Sequence, residues 1–178
     1  MTELAGKVDE EAHASELLQN LVSTDFKRLI KFVNQDHPNY FNFAVPDNPE
    51  DKKELFGFIK NVLDISNVAS KVQFGAENEY MKGILSDLEN GNLEVFHRHA
   101  AAEDCVAMLL LRLAGEKIPG DTDTRRPLPY TGGNLGVVVE LGGGIHFTGN
   151  KYRDEGASFL NKVAVKIDLK LPKGFLGN

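Results

Sequence analysis

His97, His99 and Glu103 are the residues of this chain whose types and spacing could do chemistry. A histidine and a glutamate four positions apart lie one above the other on a helix. Such a pair can hold a divalent metal, or set an imidazole as a general base oriented by a carboxylate. At roughly 100° per residue, Val95, Phe96, His99, Ala102, Val106, Leu110 and Leu113 fall on one broad apolar face, with Glu103 on the same side. Glu94, Arg98, Arg112 and Glu116 collect opposite, and His97 and Asp104 sit near the border. Burial of either charge is costly unless the two pair.

Two readings compete. In the first, His99 and Glu103 are a satisfied polar pair at a core boundary or a subunit interface, and no catalytic or metal residue is assigned. In the alternative, His99 and Glu103 centre a divalent-metal site or a small metal-dependent enzyme, with His97, Asp104 or Arg112 as helpers. Helical metal sites of this kind need matching groups from a facing helix. The preceding helix offers Glu77, Glu79, Asp87 and Glu89, but no His-x-x-x-Glu or Glu-x-x-His pair. His97 and His99 share a face only on a strand; on a helix they point about 160° apart. The first reading is preferred, without a cofactor.

Other motifs weaken on inspection. Cys105 lies mid-helix in an apolar run, away from any feature that would lower its pKa, and reads as a core thiol. Gly132-Gly133 and Gly142-Gly143-Gly144 flank a strand, not a strand-to-helix junction, and read as hairpin turns rather than a phosphate loop. Asp121 and Asp123 alternate like the start of a calcium loop that lacks its glycine and closing glutamate. The binding candidates are Arg125 and Arg126, which can grip a carboxylate or phosphate, and Lys162, Lys166 and Lys170 on one face of an expected strand. Those lysines also suit an edge kept soluble.

The elements that must position these groups are mostly helical at first. Leu17, Leu18, Leu21 and Val22 follow an acidic first turn, predicting a helix over 9–22. Phe26, Leu29, Ile30 and Val33 recur at helical spacing until His37-Pro38. Residues 39–46, with Tyr40, Phe41 and Phe43, read as a buried loop or short strand, or as an interface core if exposed. Asn48-Pro49-Glu50 is a helix start, with Leu55, Phe58, Ile59, Val62 and Leu63 as its apolar face. A fourth helix covers 77–89, and a fifth runs from Leu93 to about Ala114, closed by Gly115. After Pro119 the pattern changes. Residues 119–134 read as a long Pro/Arg/Gly loop, Leu135 to Leu141 and Ile145 to Thr148 as a hairpin, and 162–171 as a strictly alternating strand.

The expected fold is therefore α+β: a bundle of about five helices over 1–118, then a small, mainly antiparallel sheet over 135–178 packed on it as one domain. The 178 residues are 42% apolar and 26% charged, close to ordinary globular usage. The formal charge of −6 divides into −8 for residues 1–120 and +2 for 121–178. That balance argues against nucleic-acid binding. The single cysteine, the acidic start and the absence of a long apolar run point to a soluble cytoplasmic protein without membrane contact. With no catalytic motif left standing, the sequence leans away from an enzyme. It points to a non-catalytic interaction or regulatory protein, self-associating through the 119–134 loop and the C-terminal sheet. A carrier with an apolar pocket between helices and sheet is a further option.

Overall fold

The computed structural model describes residues 2–37, 40–76, 79–90, 93–116, 125–128, 135–139, 145–148 and 155–169. The chain is mostly helical, with small antiparallel sheet elements. Helix α1 spans Thr2–Ser23 and packs against α3, which spans Pro49–Phe74. Between them lie the one-turn helix α2 (Phe26–Leu29), a 3-10 turn (Ile30–Phe32), and strands β1 (Val33–His37) and β2 (Tyr40–Phe43). Helices α4 (Glu79–Glu89), α5 (Leu93–Phe96) and α6 (Ala100–Leu113) follow. The C-terminal part holds β3 (Arg125–Leu128), β4 (Leu135–Val139), β5 (Ile145–Thr148) and α7 (Glu155–Lys166). Among the described residues, no helix is long and apolar enough to cross a membrane.

Helix α3 forms where local signals expect it. Asn48 accepts the Glu50 and Asp51 N–H groups at 2.8 and 3.3 Å, Pro49 opens the helix, and Gly75 closes it at φ 77°. Leu55, Phe58, Ile59, Val62 and Leu63 are all buried, as their spacing predicts. Further along, Ile65 to Ser70 is buried on every side, including Ser66, Asn67 and Ser70, because α1, α4 and α7 surround this stretch. Gly57 stands on the exposed side of α3, where an added Cβ would meet no atom within 4 Å. A glycine inside a helix costs backbone entropy, so Gly57→Ala is expected to stabilise the fold by about 0.5–1 kcal/mol. A rise in the urea midpoint would show it, and a fall would mean the glycine is needed there.

The stripe Phe26, Leu29, Ile30 and Val33 does not continue as one helix. Phe26, Leu29 and Val33 are buried, but the chain tightens after Leu29 and turns extended at Val33. The reason is tertiary: β1 pairs antiparallel with β2, placing Val33 opposite Phe43 and Asn34 opposite Asn42. Phe41 and Phe43 are buried, so they belong to the core rather than to an exposed contact.

Helix α6 is apolar on every side from Val106 to Leu111. Val106 to Leu111, Leu113 and Ala114 are buried between β2, α2 and the second sheet. It ends as expected at Gly115, φ 79°, where Glu116 N–H closes on the Leu111 carbonyl at 2.9 Å. The second sheet has the order β3-β4-β5, antiparallel throughout. Its β4–β5 pair is the expected hairpin. Arg125 and Arg126 lie on β3, inside the segment read as an unstructured loop. Pairing of Arg125 to Leu128 with Val138 to Leu135 makes it an edge strand, where Pro127 is tolerated. The rest of 119–134 lies outside the described residues, as do the three glycines 142–144.

Where a strand is expected over 162–171, residues 162–166 instead end the helix α7, and 170–171 lie outside the described residues. Leu160, Val163 and Ala164 are buried and Ile167 is partly buried, which is the i, i+3, i+4, i+7 stripe of a helix. The alternation of Val163, Val165 and Ile167 coincides with that stripe except at Val165, which is left 77% exposed. The helix closes with Asp168 at φ 52°, its N–H on the Val165 carbonyl, while Leu169 N–H reaches the Ala164 carbonyl at 2.9 Å. That pair of bonds is a Schellman ending, and aspartate is one of the few non-glycine residues that enters this conformation readily. Gly156 sets α7 against α3: a Cβ there would stand 2.4 Å from the Ala69 carbonyl oxygen. Lys166 pairs with Glu11 of α1.

Candidate functional site

The helix expected from Leu93 to Ala114 is broken at His97–His99. His97 N–H bonds the Glu94 carbonyl at 3.2 Å and His99 N–H the Phe96 carbonyl at 2.8 Å, three residues back in each case. The His99 carbonyl then accepts the Glu103 N–H at 2.9 Å and starts α6. The break re-aims both imidazoles. His97, not His99, approaches Glu103, with Nδ1 2.6 Å from Oε2. His99 Nε2 instead lies 3.3 Å from Asp87 Oδ2 on α4. The same-face His99–Glu103 pair expected from an unbroken helix is thus replaced by two pairs with different partners.

Glu103 is fully buried, whereas the His97 side chain is 36% exposed. The Glu103 Oε2 atom also accepts the Phe43 N–H at 3.1 Å. Its neighbour Asp104 accepts the Phe41 N–H through Oδ1 at 3.0 Å. Alternate residues of a strand present their N–H groups along the same edge, so β2 meets α6 with two donors and α6 answers with two consecutive acids. Glu103 lies in the first turn of α6, where a helix N-terminus favours negative charge. The short His97–Glu103 separation is not matched by direction: Nδ1 makes no well-aimed hydrogen bond, so the two side chains are in close contact without forming an oriented base–carboxylate pair.

Chemically, the arrangement fastens the β1–β2 hairpin to α6 and the α5–α6 break to α4. Among the described residues, no three His, Cys, Asp or Glu side chains converge as a metal set. Of His97, His99 and Glu103, the residues of the metal reading, His97 meets Glu103 while His99 lies against Asp87 of α4. Cys105 is half-buried rather than enclosed in the core. Lys162 and Lys166 are exposed on α7, not on a strand, and Lys170 lies outside the described residues. Arg112 belongs to the last turn of α6.

A separate ion cluster ties α2 to α3. Arg28 Nε donates to Asp51 Oδ1 at 2.8 Å and its Nη1 to Glu54 Oε1 at 3.0 Å. The Asp51 hydrogen bond, with the charges of Asp51, Glu54 and Glu50, raises the Arg28 pKa above its ordinary value. Sequence reasoning gave no role to Asp51, and named Asp87 only as one of four acids that the preceding helix offers. A carboxylate on one element and a cation on another carry no spacing signal when they are 12 or 23 positions apart. No family model matches the sequence, and the comparisons with curated proteins and with solved structures give no match.

Proposed function

We propose that this chain is a non-catalytic interaction or regulatory protein that associates with copies of itself. The observation that carries the reading is the state of Glu103: the buried carboxylate of the best catalytic candidate is spent on the Phe43 N–H and on His97. A group that holds a hairpin to a helix is committed to the fold, and it makes a poor proton acceptor for a substrate. The contact surface in this reading comprises the 119–134 segment, the β3-β4-β5 sheet and the outer side of α7. On α7, Val165 is exposed between Lys162 and Lys166. The N-terminal 120 residues carry a net −8 against +2 for the remainder, so a basic C-terminal face on one copy has acidic surface to meet on another.

Native mass spectrometry with light scattering across a concentration series tests this. A discrete oligomer that weakens in Val165→Glu and at high salt supports the proposal. A chain that stays monomeric into the millimolar range overturns self-association. The same spectrum tests the absence of a cofactor, because a stoichiometric metal lost on His97→Ala or His99→Ala would overturn the non-catalytic reading.

A further inference from the structure

An asparagine side-chain carbon lies one ring closure away from the backbone nitrogen of the next residue. When that residue is glycine, no Cβ stands in the way of the closure. Asn90-Gly91 is the only Asn-Gly step in the sequence. Elsewhere the following residue is bulkier, as in Asn61-Val62 and Asn67-Val68, or is proline, as in Asn48-Pro49, which has no N–H to give up.

The fold adds a second distinction. Asn20, Asn61, Asn67 and Asn161 lie inside α1, α3 and α7, where the helical backbone commits each following N–H to a carbonyl of the preceding turn. Asn61 also donates to the Leu17 carbonyl, and Asn67 is buried. Asn48 accepts the Glu50 and Asp51 N–H groups as the cap of α3. Asn34 and Asn42 pair across β1 and β2. Asn90 instead stands one residue past Glu89, the end of α4, and is exposed to water.

We infer that Asn90 is a self-modification site, at which the chain converts its own asparagine to aspartate and isoaspartate. The Gly91 nitrogen gives its proton to solvent base and bonds to the Asn90 side-chain carbon. The bond from that carbon to the amide nitrogen breaks, and the nitrogen takes up a proton and leaves as ammonia. Water then opens the five-membered succinimide at either carbonyl, giving the two acids. Water is the sole co-reactant, and nothing is oxidised or reduced. The new carboxylate stands at the carbonyl end of α4, beside Glu89 and three positions from Asp87, which lies against His99. Negative charge is unfavourable at that end of a helix, so the modification weakens the end of α4. The chemistry is independent of self-association.

Prolonged warm incubation of the full chain in mildly alkaline buffer, followed by peptide mapping with mass spectrometry, tests it. The peptide holding Asn90 is expected to gain about 1 Da, one ammonia exchanged for one water, and to split into two species on chromatography. Conversion should be slower in mildly acidic buffer, because the attacking nitrogen must lose its proton. Asn90→Gln should remove the change. Gly91→Leu should slow it by about tenfold or more, since its side chain crowds the attack. An unchanged Asn90 mass, over a period in which a synthetic peptide of residues 86–95 converts, would overturn the inference. So would a mass gain that appears first at another asparagine, or equal conversion in a Gly91→Leu chain with the circular dichroism of the parent.

Discussion

Glu103→Ala is expected to lower the stability of the chain by roughly 2–4 kcal/mol, measured by urea unfolding. The substitution leaves the Phe43 N–H without its acceptor in a buried position, a loss of about 1–3 kcal/mol, and opens a small cavity besides. It also removes the partner of His97, a smaller loss, because that imidazole is part-exposed and can be solvated. Glu103→Gln keeps an oxygen for the Phe43 N–H and gives up only the charge, so about 1 kcal/mol is expected. Asp104→Ala should fall below Glu103→Ala, since the Phe41 bond is part-buried and water can replace the carboxylate. This order, Ala at 103 the worst, is the signature of a clamp. A Glu103→Ala protein as stable as the parent would show that the carboxylate is held for something other than the fold.

Gly156→Ala is expected to destabilise by about 1–3 kcal/mol, and Gly156→Val by more. The added methyl would lie 2.4 Å from the Ala69 carbonyl oxygen and 3.0 and 3.1 Å from the Ala69 carbonyl carbon and Cα. These are backbone atoms of α3, which cannot step aside as a side chain would. Helix α7 must therefore move outward, loosening the burial of Leu160, Val163 and Ala164. Helix propensity alone argues the other way, because alanine is the better helix former. Gly57→Ala supplies the control: the same substitution on an open helix face should raise stability, while at 156 it should lower it. A thermal midpoint for Gly156→Ala at or above that of the parent would mean that α7 does not pack this closely on α3.

Much of the local structure was legible because it follows from short-range chemistry. Asn48 and Pro49 start α3, Gly75 and Gly115 can take the left-handed conformation that ends α3 and α6, and the apolar spacing of 55–63 marks a buried face. The β4–β5 hairpin was readable from its β-branched residues and intervening glycines. The break at His97–His99 was not, because His-Arg-His contains neither a proline, a glycine nor a good capping side chain. At the break the two imidazoles lie against carboxylates of Glu103 and Asp87, a juxtaposition that exists only once α4 and α6 are in place.

Residues 162–169 carry the sharper lesson. Their pattern satisfies a strand and a helix at once, and periodicity cannot choose between two templates that it fits. What decided is Gly156, which allows a helix to approach the backbone of α3, together with an Asp168 that accepts the left-handed turn after it. The sequence by itself determined the helical weight of the N-terminal part, the ends of α3 and α6, most of the core and the charge division at about Pro119. Those features depend on residues a few positions apart or on sums over many. The tertiary structure decided which histidine meets Glu103 and which element carries Lys162 and Lys166, because each joins residues from elements that touch only after folding.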